Sequence, residues 1–376
     1  MSTTALSKQV HPRLKLFSFF SGCGFLDLGF ELNGFSIEFV NEFHLPFLRA
    51  YEYSRKLMGI APPIFGCHNT DVNEYLDGRR DELCEYMNVA KADESLVGFI
   101  GGPPCPDFSV AGKQRGKNGD NGKLSLSYVK LIITFLPDFF LFENVKGLWK
   151  TAKHREFYEE LKSMLGKSGY LMTERLTNAL EFGVPQDRDR ILLFGVKNGG
   201  KKWSISQFPW SKYIKYDKDE VKNIKWPKSD PFKEDGLMEC PHGIKPELTV
   251  QYWFDKNNVN QHPNCNDFFR PKEGLRKMLV VEEGDVSKKS HKRLHRWRYS
   301  PTVAYGNNEV HLHPYKARRL TVAESLALQS LPKEFVLPPD MTLTDKFKTI
   351  GNGVPFLLAE GLAKTIRDYL TSNQSL

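Results

Sequence analysis

Leu96-Val97-Gly98-Phe99-Ile100-Gly101-Gly102-Pro103-Pro104-Cys105-Pro106 is the stretch that decides how this chain folds. Its first half reads as a strand buried on both faces of a parallel sheet. The prolines cannot continue a ladder, so the chain must turn sharply after Gly102. That turn places the Cys105 thiol at the carboxyl end of a central strand, where open α/β sheets hold their ligands. Further on, Phe139-Phe140-Leu141-Phe142 repeats the apolar run and ends in Glu143-Asn144-Val145. A nucleophile and an acid delivered to one sheet edge make an active-site arrangement.

Outward from this pair, residues 14–196 alternate strand-like and helix-like stretches, as βαβ units do. The patterning predicts strands at 14–20, 37–40, 96–100, 138–142, 170–177 and 190–196. It predicts helices at 26–33, 46–57, 124–135 and 154–167. We therefore assign 1–196 to a catalytic and cofactor-binding domain of α/β class. From 197 to 310 the pattern dissolves into Lys, Asn, Pro and aromatics, which marks a smaller, irregular second domain. In the C-terminal segment, 311–376, Thr321 is placed to cap a helix with Glu324 at its third position. Phe356 to Leu370 reads as an amphipathic helix. The stretch 111–123 holds four glycines and predicts a mobile loop.

The chain of 376 residues carries a formal charge of +8, and the excess is concentrated. Residues 197–318 contain 24 Lys and Arg against 15 Asp and Glu, whereas the remainder balances at 29 against 30. The same segment holds five of the six tryptophans and six of the ten histidines. Basic groups interleaved with aromatics predict a surface that meets a polyanion, though a solvated face would read alike. The six cysteines follow no paired spacing, the N-terminus lacks a signal-peptide core and no apolar run reaches membrane-spanning length. A soluble protein of a reducing compartment is expected.

A second ligand signal follows the first strand, in Phe20-Ser21-Gly22-Cys23-Gly24-Phe25-Leu26-Asp27-Leu28-Gly29-Phe30. Glycines at a strand-to-helix turn let a ligand approach the backbone. Glu42 follows the second strand, where a carboxylate can accept bonds from ribose hydroxyls. Asp71-Val72 could serve an adenine amino group. The third glycine of a dinucleotide fingerprint is not at its usual spacing, which favours a smaller nucleoside such as S-adenosyl-L-methionine. Cys240, His242, His262 and Cys265 have spacings too weak for a zinc signature, and no metal is expected.

These motifs resemble the DNA (cytosine-5) methyltransferases, in particular the compact bacterial modification enzymes. The resemblance covers almost the whole chain outside 197–300. It rests on the glycine turn at 20–30, Gly102-Pro103-Pro104-Cys105, Glu143-Asn144-Val145 and Gln186-Asp187-Arg188-Asp189-Arg190. It continues through Arg319-Leu320-Thr321 with Glu324, Leu328-Gln329 and Pro332, and ends at Gly351-Asn352-Gly353-Val354-Pro355. Phe25 stands where the family often has a second glycine, and Pro106 where glutamine is frequent. The resemblance implies a Rossmann-like S-adenosylmethionine-dependent methyltransferase sheet with a target-recognition domain, and a last helix that returns to the catalytic domain.

The resemblance also implies roles. Cys105 would be the nucleophile, Glu143 the donor to the base and Asn144 its support, with Arg188 and Arg190 contacting base and phosphate. Cofactor contacts would come from Phe20, Gly22, Cys23, Gly24, Phe25, Glu42, Phe43, Asp71, Val72, Pro104, Leu124, Asn352 and Val354. DNA contacts would come from Ser109, Lys113 and Arg115 on a closing lid at 106–123, and from Lys292, Arg293, Arg296 and Arg298. The expected partner is double-stranded DNA, with no membrane. The expected protein is a monomer of a bacterial cytoplasm, alongside a restriction endonuclease that shares its site without forming a stable complex. A tRNA cytosine-5 methyltransferase and a non-catalytic DNA-binding paralogue are the rival readings.

Overall fold

The computed structural model describes residues 13–104, 120–199, 203–271, 274–288, 290–303 and 311–372. The strands are β1 (Leu14–Phe19), β2 (Phe35–Asn41), β3 (Cys67–His68), β4 (Leu96–Gly101), β5 (Phe139–Val145), β6 (Tyr170–Asn178), β7 (Gln186–Asp187), β8 (Asp189–Lys197), β9 (Lys292–Arg293), β10 (Ser300–Pro301) and β11 (His311–Leu312). The helices are α1 (Phe25–Glu31), α2 (Leu45–Leu57), α3 (Arg80–Lys91), α4 (Asp120–Phe135), α5 (Lys146–Lys150), α6 (Ala152–Lys167), α7 (Lys218–Asn223), α8 (Val250–Lys256), α9 (Leu275–Leu279), α10 (Val322–Leu328), α11 (Leu343–Asn352) and α12 (Phe356–Ser372).

Seven strands form one sheet in the order β3-β2-β1-β4-β5-β8-β6. All neighbours are parallel except β8, which runs antiparallel to both β5 and β6. The apolar runs become strands because both faces of the sheet are covered. On β1, Leu14 and Leu16 face the core under α1, α2 and α12, while Phe17 and Phe19 face the core under α3, α4 and α6. Gly29 of α1 meets α12 so closely that a Cβ there would lie 2.5 Å from that of Ala359. The C-terminal helix thus packs on the first helix and the sheet.

Helix starts follow local chemistry. Thr321 and Glu324 form the expected reciprocal capping box at α10, and Thr342 caps α11 through the Asp345 amide. The segment after β8 is built of short elements. Its aromatics are mostly structural. Trp203, Trp226 and Trp253 are buried, and the Trp203 ring stacks on Tyr369 of α12 at 5.8 Å. The prediction that aromatics would line a polyanion surface fails for these three, whose rings fill cores: Trp203 the one under α12, and Trp226 and Trp253 smaller ones. Val250, Trp253 and Phe254 complete one such core with Leu320, Ala323 and Leu328.

Candidate active site and cofactor cleft

The chain leaves β1 toward β2 and leaves β4 toward β5, so the carboxyl ends of β1 and β4 flank the switch point of the sheet. The glycine turn follows β1 here. Phe20, Gly22 and Gly24 have φ of 55°, 58° and 80°, and Gly24 caps α1 without any side-chain bond. Glycine relieves this left-handed backbone at two of the three positions. A Cβ on Gly24 would also lie 2.4 Å from the Tyr51 ring. Arg55, buried and paired with Glu31 at 2.8 Å, donates to the Gly24 carbonyl at 2.6 Å.

Glu42, just past β2, is wired into this turn. Its Oε2 accepts the Gly22 amide at 2.8 Å and its Oε1 the His44 amide at 2.7 Å. Burial raises its pKa, and those two amides hold it down in part. Beside it Phe43 is 72% exposed, a large ring that nothing in the described chain covers. Asn69 donates to the Glu42 and Phe43 carbonyls at 2.9 and 2.6 Å, which fixes that exposed loop. Asp71 accepts the Asn73 amide and side chain, both at Oδ1.

Cys23, Phe25, Val72 and Val354 are buried. Burial pushes the Cys23 thiol up to about 12, and Thr349 donates to its sulfur at 3.0 Å. The Phe25 ring meets Phe335 edge-on at 5.2 Å. These side chains serve the packing of the turn, and what they can offer a ligand is backbone. Leu124 is half-buried on α4, and Pro104 and Asn352 are exposed. The segment 349–353 touches the turn directly: a Cβ on Gly353 would lie 2.2 Å from the Phe25 ring. His44 reaches Asp345 of α11 at 3.0 Å from the other side. No motif announces that pair, whose members lie far apart in the chain.

At the end of β4 the doubled glycine has a steric reason. A Cβ on Gly102 would lie 2.6 Å from Glu143 Oε2, so only glycine leaves room for that carboxylate. Glu143 lies within β5, not in a loop beyond it, because β8 extends the ladder to Val145. In that ladder Glu143 opposes Leu192 and Val145 opposes Arg190. Glu143 and Arg190 are therefore diagonal neighbours on one face. Arg190 Nε lies 2.7 Å from Glu143 Oε1, and both side chains are largely buried. Burial raises the Glu143 pKa, with Arg190 and then Arg188 opposing. Asn144 donates to the Pro103 carbonyl at 3.4 Å and accepts the Val145 amide at 2.7 Å, tying β5 to the proline turn.

Cys105, Ser109, Lys113 and Arg115, with the rest of the predicted lid up to 119, lie outside the described residues. The remainder of that stretch, 120–123, is the first turn of α4.

Three arginines depart from expectation. Arg188 is fully buried and donates to the carbonyls of Gly351 at 2.8 Å, Gly353 at 3.0 Å and Val303 at 3.3 Å. Its donors go to backbone, whereas the resemblance implied a contact with base or phosphate. The ladder breaks at Arg188, between β7 and β8. Arg293 was expected on DNA, yet it is fully buried. It donates to the carbonyls of Met278, Val281, His313 and Lys316 and lies 3.8 Å from the Phe232 ring centre. Arg296, also expected on DNA, forms a buried pair with Glu283 at 2.7 Å. A buried cation needs such partners, and these arginines act inside the fold. Lys292 and Arg298 stay partly exposed. His262 contacts the Phe335 carbonyl with one ring nitrogen and the Asn264 amide with the other. Among the described residues no group of three or more His, Cys, Asp or Glu could hold a metal, and no helix is long and apolar enough to cross a membrane.

A doubly wound sheet with a glycine turn closed by a carboxylate after β1, and a buried acid–guanidinium pair at the end of β5, make a Rossmann-like sheet with a candidate active site at its carboxyl edge. Comparison with known proteins narrows this. Residues 14–368 match the family of C-5 cytosine-specific DNA methylases. The chain is 54% identical to the Type II methyltransferase M.NmeDI of Neisseria meningitidis serogroup C over 97% of its length and 86% of that protein's. It is 31% identical to M.FnuDI of Fusobacterium nucleatum, covering 96% and 97% of the two chains. Among solved structures, one assigned as a prophage DNA modification methyltransferase of E. coli superposes with TM-score 0.65 at 22% identity, over 95% and 99% of the two chains. The Dnmt2 methyltransferase of S. pombe superposes with TM-score 0.60 at 14% identity, over 95% and 98%. The chain belongs to the C-5 cytosine-specific DNA methylases, and its activity is that of a DNA (cytosine-5) methyltransferase.

Proposed function

We propose that the chain transfers a methyl group from S-adenosyl-L-methionine to carbon 5 of a flipped-out cytosine in a specific double-stranded DNA sequence. It would do so as the modification enzyme of a restriction–modification system, a monomer of a bacterial cytoplasm. The observation that carries the reading is the Glu143–Arg190 pair, set against Gly102 in the turn that leads to Cys105.

The cleft fits the methyl donor. Phe43 offers an uncovered ring for an adenine to stack on, Glu42 lies beside it for ribose hydroxyls, and the turn at 22–24 presents backbone. Bound there, the donor supplies an electrophilic methyl group on sulfonium. Carbon 5 of cytosine is too weak a nucleophile to take it unaided. The Cys105 thiolate adds to carbon 6, and Glu143 donates a proton to ring N3 as the electrons arrive there. Burial shifts Glu143 toward its protonated form, while Arg190 opposes that shift. Arg190 holds the Glu143 carboxyl in place and sets a cation beside the base oxygen. Carbon 5 then takes the methyl group and loses its proton to a base. Elimination expels the Cys105 thiolate, N3 returns its proton to Glu143, and 5-methylcytosine and S-adenosylhomocysteine remain. A stacked cytosine is out of reach, so the base must leave the duplex.

Residues 197–310 would choose the sequence. Among their exposed basic side chains, Lys277 and Lys288, with the half-buried Lys292 and Arg298, replace Arg293 and Arg296 as phosphate contacts. The Cys105→Ala variant should bind S-adenosylhomocysteine normally yet leave bisulfite-sequenced DNA unmethylated. Wild-type protein should be trapped on a duplex carrying 5-fluorocytosine at its site. Turnover by Cys105→Ala, or methylation of tRNA in place of DNA, would overturn the reading.

A further inference from the structure

The buried Arg188 and its neighbours form one polar network joining two places that the proposed reaction uses separately. At one end the chain returns from the target-recognition segment. There β10 pairs with β7, the Ser300 amide donates to the Pro185 carbonyl at 2.8 Å, and the Val303 amide donates to Gln186 Oε1 at 3.3 Å. At the other end is the turn 351–353, packed on the glycine turn of the cofactor cleft. Arg188 spans the two. One arm donates to the Val303 carbonyl, and the other to the carbonyls of Gly351 and Gly353. A parallel branch runs from Gln186 Nε2 to Gln329 Oε1 at 3.4 Å, and from Gln329 Nε2 to the Ile350 carbonyl at 2.6 Å. Nothing else in the described residues ties Gly351 and Gly353 to the return strand so directly.

The planar fork of a guanidinium suits this task. It can hold carbonyls from two separate segments in one fixed plane, which an ammonium cannot. The charge lies close enough to Glu143 to oppose the rise in its pKa, yet the donors of Arg188 are directed at backbone. Such a network rigidifies its surroundings when fully satisfied and becomes costly when broken.

We propose that Arg188 is a positioning residue for the cofactor cleft: it holds the turn that closes the cleft in register with the point where the target-recognition segment rejoins the catalytic domain. This rests on the methyl-transfer reading. It assigns Arg188 to cofactor binding rather than to base contact, and it makes cofactor affinity depend on how the target segment is seated.

The test uses Arg188→Met and Arg188→Lys in the full chain, with S-adenosylhomocysteine as probe in calorimetry, with and without a duplex containing the site. Both variants should bind the probe roughly ten- to hundredfold more weakly, as expected when charge-assisted hydrogen bonds are removed. Any change in probe affinity that DNA produces in the wild type should shrink in the variants. The KM for S-adenosylmethionine should rise, while kcat at saturating cofactor falls no more than a few-fold. A fall in kcat at unchanged probe affinity would mean that Arg188 contacts the base and would overturn the proposal. A lower melting temperature at unchanged probe affinity would equally overturn it, as a merely structural role. If Arg188→Met does not fold, Arg188→Lys, which keeps the buried charge but not the fork, decides by the same readouts. Wild-type protein that binds no probe at all would sink the methyl-transfer reading instead.

Discussion

Glu143 and Arg190 show how much chemistry a single diagonal in a ladder can hold. The acid is buried, so it favours its proton, and the guanidinium opposes that preference without abolishing it. Glu143→Gln keeps the shape and removes the exchangeable acid. It should lower kcat by about 10²–10⁴, the usual worth of a general acid, with probe affinity for the cofactor cleft unchanged. A rate within a few-fold of wild type would remove Glu143 from the reaction. Glu143 and Glu42 could be singled out in the sequence because each follows an apolar run that becomes a strand of the sheet. The burial of Arg188 was not legible. Gln-Asp-Arg-Asp-Arg carries no breaker, so nothing local announces that the ladder stops between two of its members. Arg293 and Arg296 were misjudged for a related reason. A run of basic residues reads as surface, and the carbonyls and carboxylate that offset their burial come from 278–283 and 313–316. The Arg293→Met variant should therefore lose stability before it loses DNA. A fall of roughly 5 °C or more in melting temperature is expected, since the buried carbonyls of Val281 and His313 would lose their donor.

At the scale of the element, α1 combines a ligand turn with a titrating core. Asp27 in its first turn is buried, accepts from Ser18 at 2.9 Å, and is pushed up to about 7, chiefly by burial and next by Glu31. An unfolded aspartate titrates near about 3.9. The folded chain thus binds an extra proton between those values, and the stability this gives is complete below about 4 and lost as pH rises to about 7. Asp27→Asn should flatten the melting temperature across that window, and an unchanged slope would show that another group titrates. Most elements were legible because burial on both faces leaves unbroken apolar runs, as in β4 and β5, and because caps such as Thr321 are local. The short elements after β8 were not. Their order comes from contacts with α10 and α12, whose residues lie far along the chain.

On the scale of the whole molecule, the proposed reading puts chemistry and sequence choice in different stretches, and the charge follows the second. Lys277→Gln, Lys288→Gln and Lys292→Gln together should weaken binding to every duplex alike. For each phosphate that is no longer neutralised, the log–log salt dependence should flatten by about 0.9. An unchanged slope would place the DNA on another face. The cleft itself is shared between distant parts of the chain, since residues 22–25 meet residues 349–353 and α12 lies along α1. This has a consequence for how the enzyme is born. A nascent chain carries Cys105, Glu143 and the glycine turn long before the ribosome reaches the segment that walls the cleft. A chain stopped before residue 349 would lack that wall and should bind S-adenosylhomocysteine poorly.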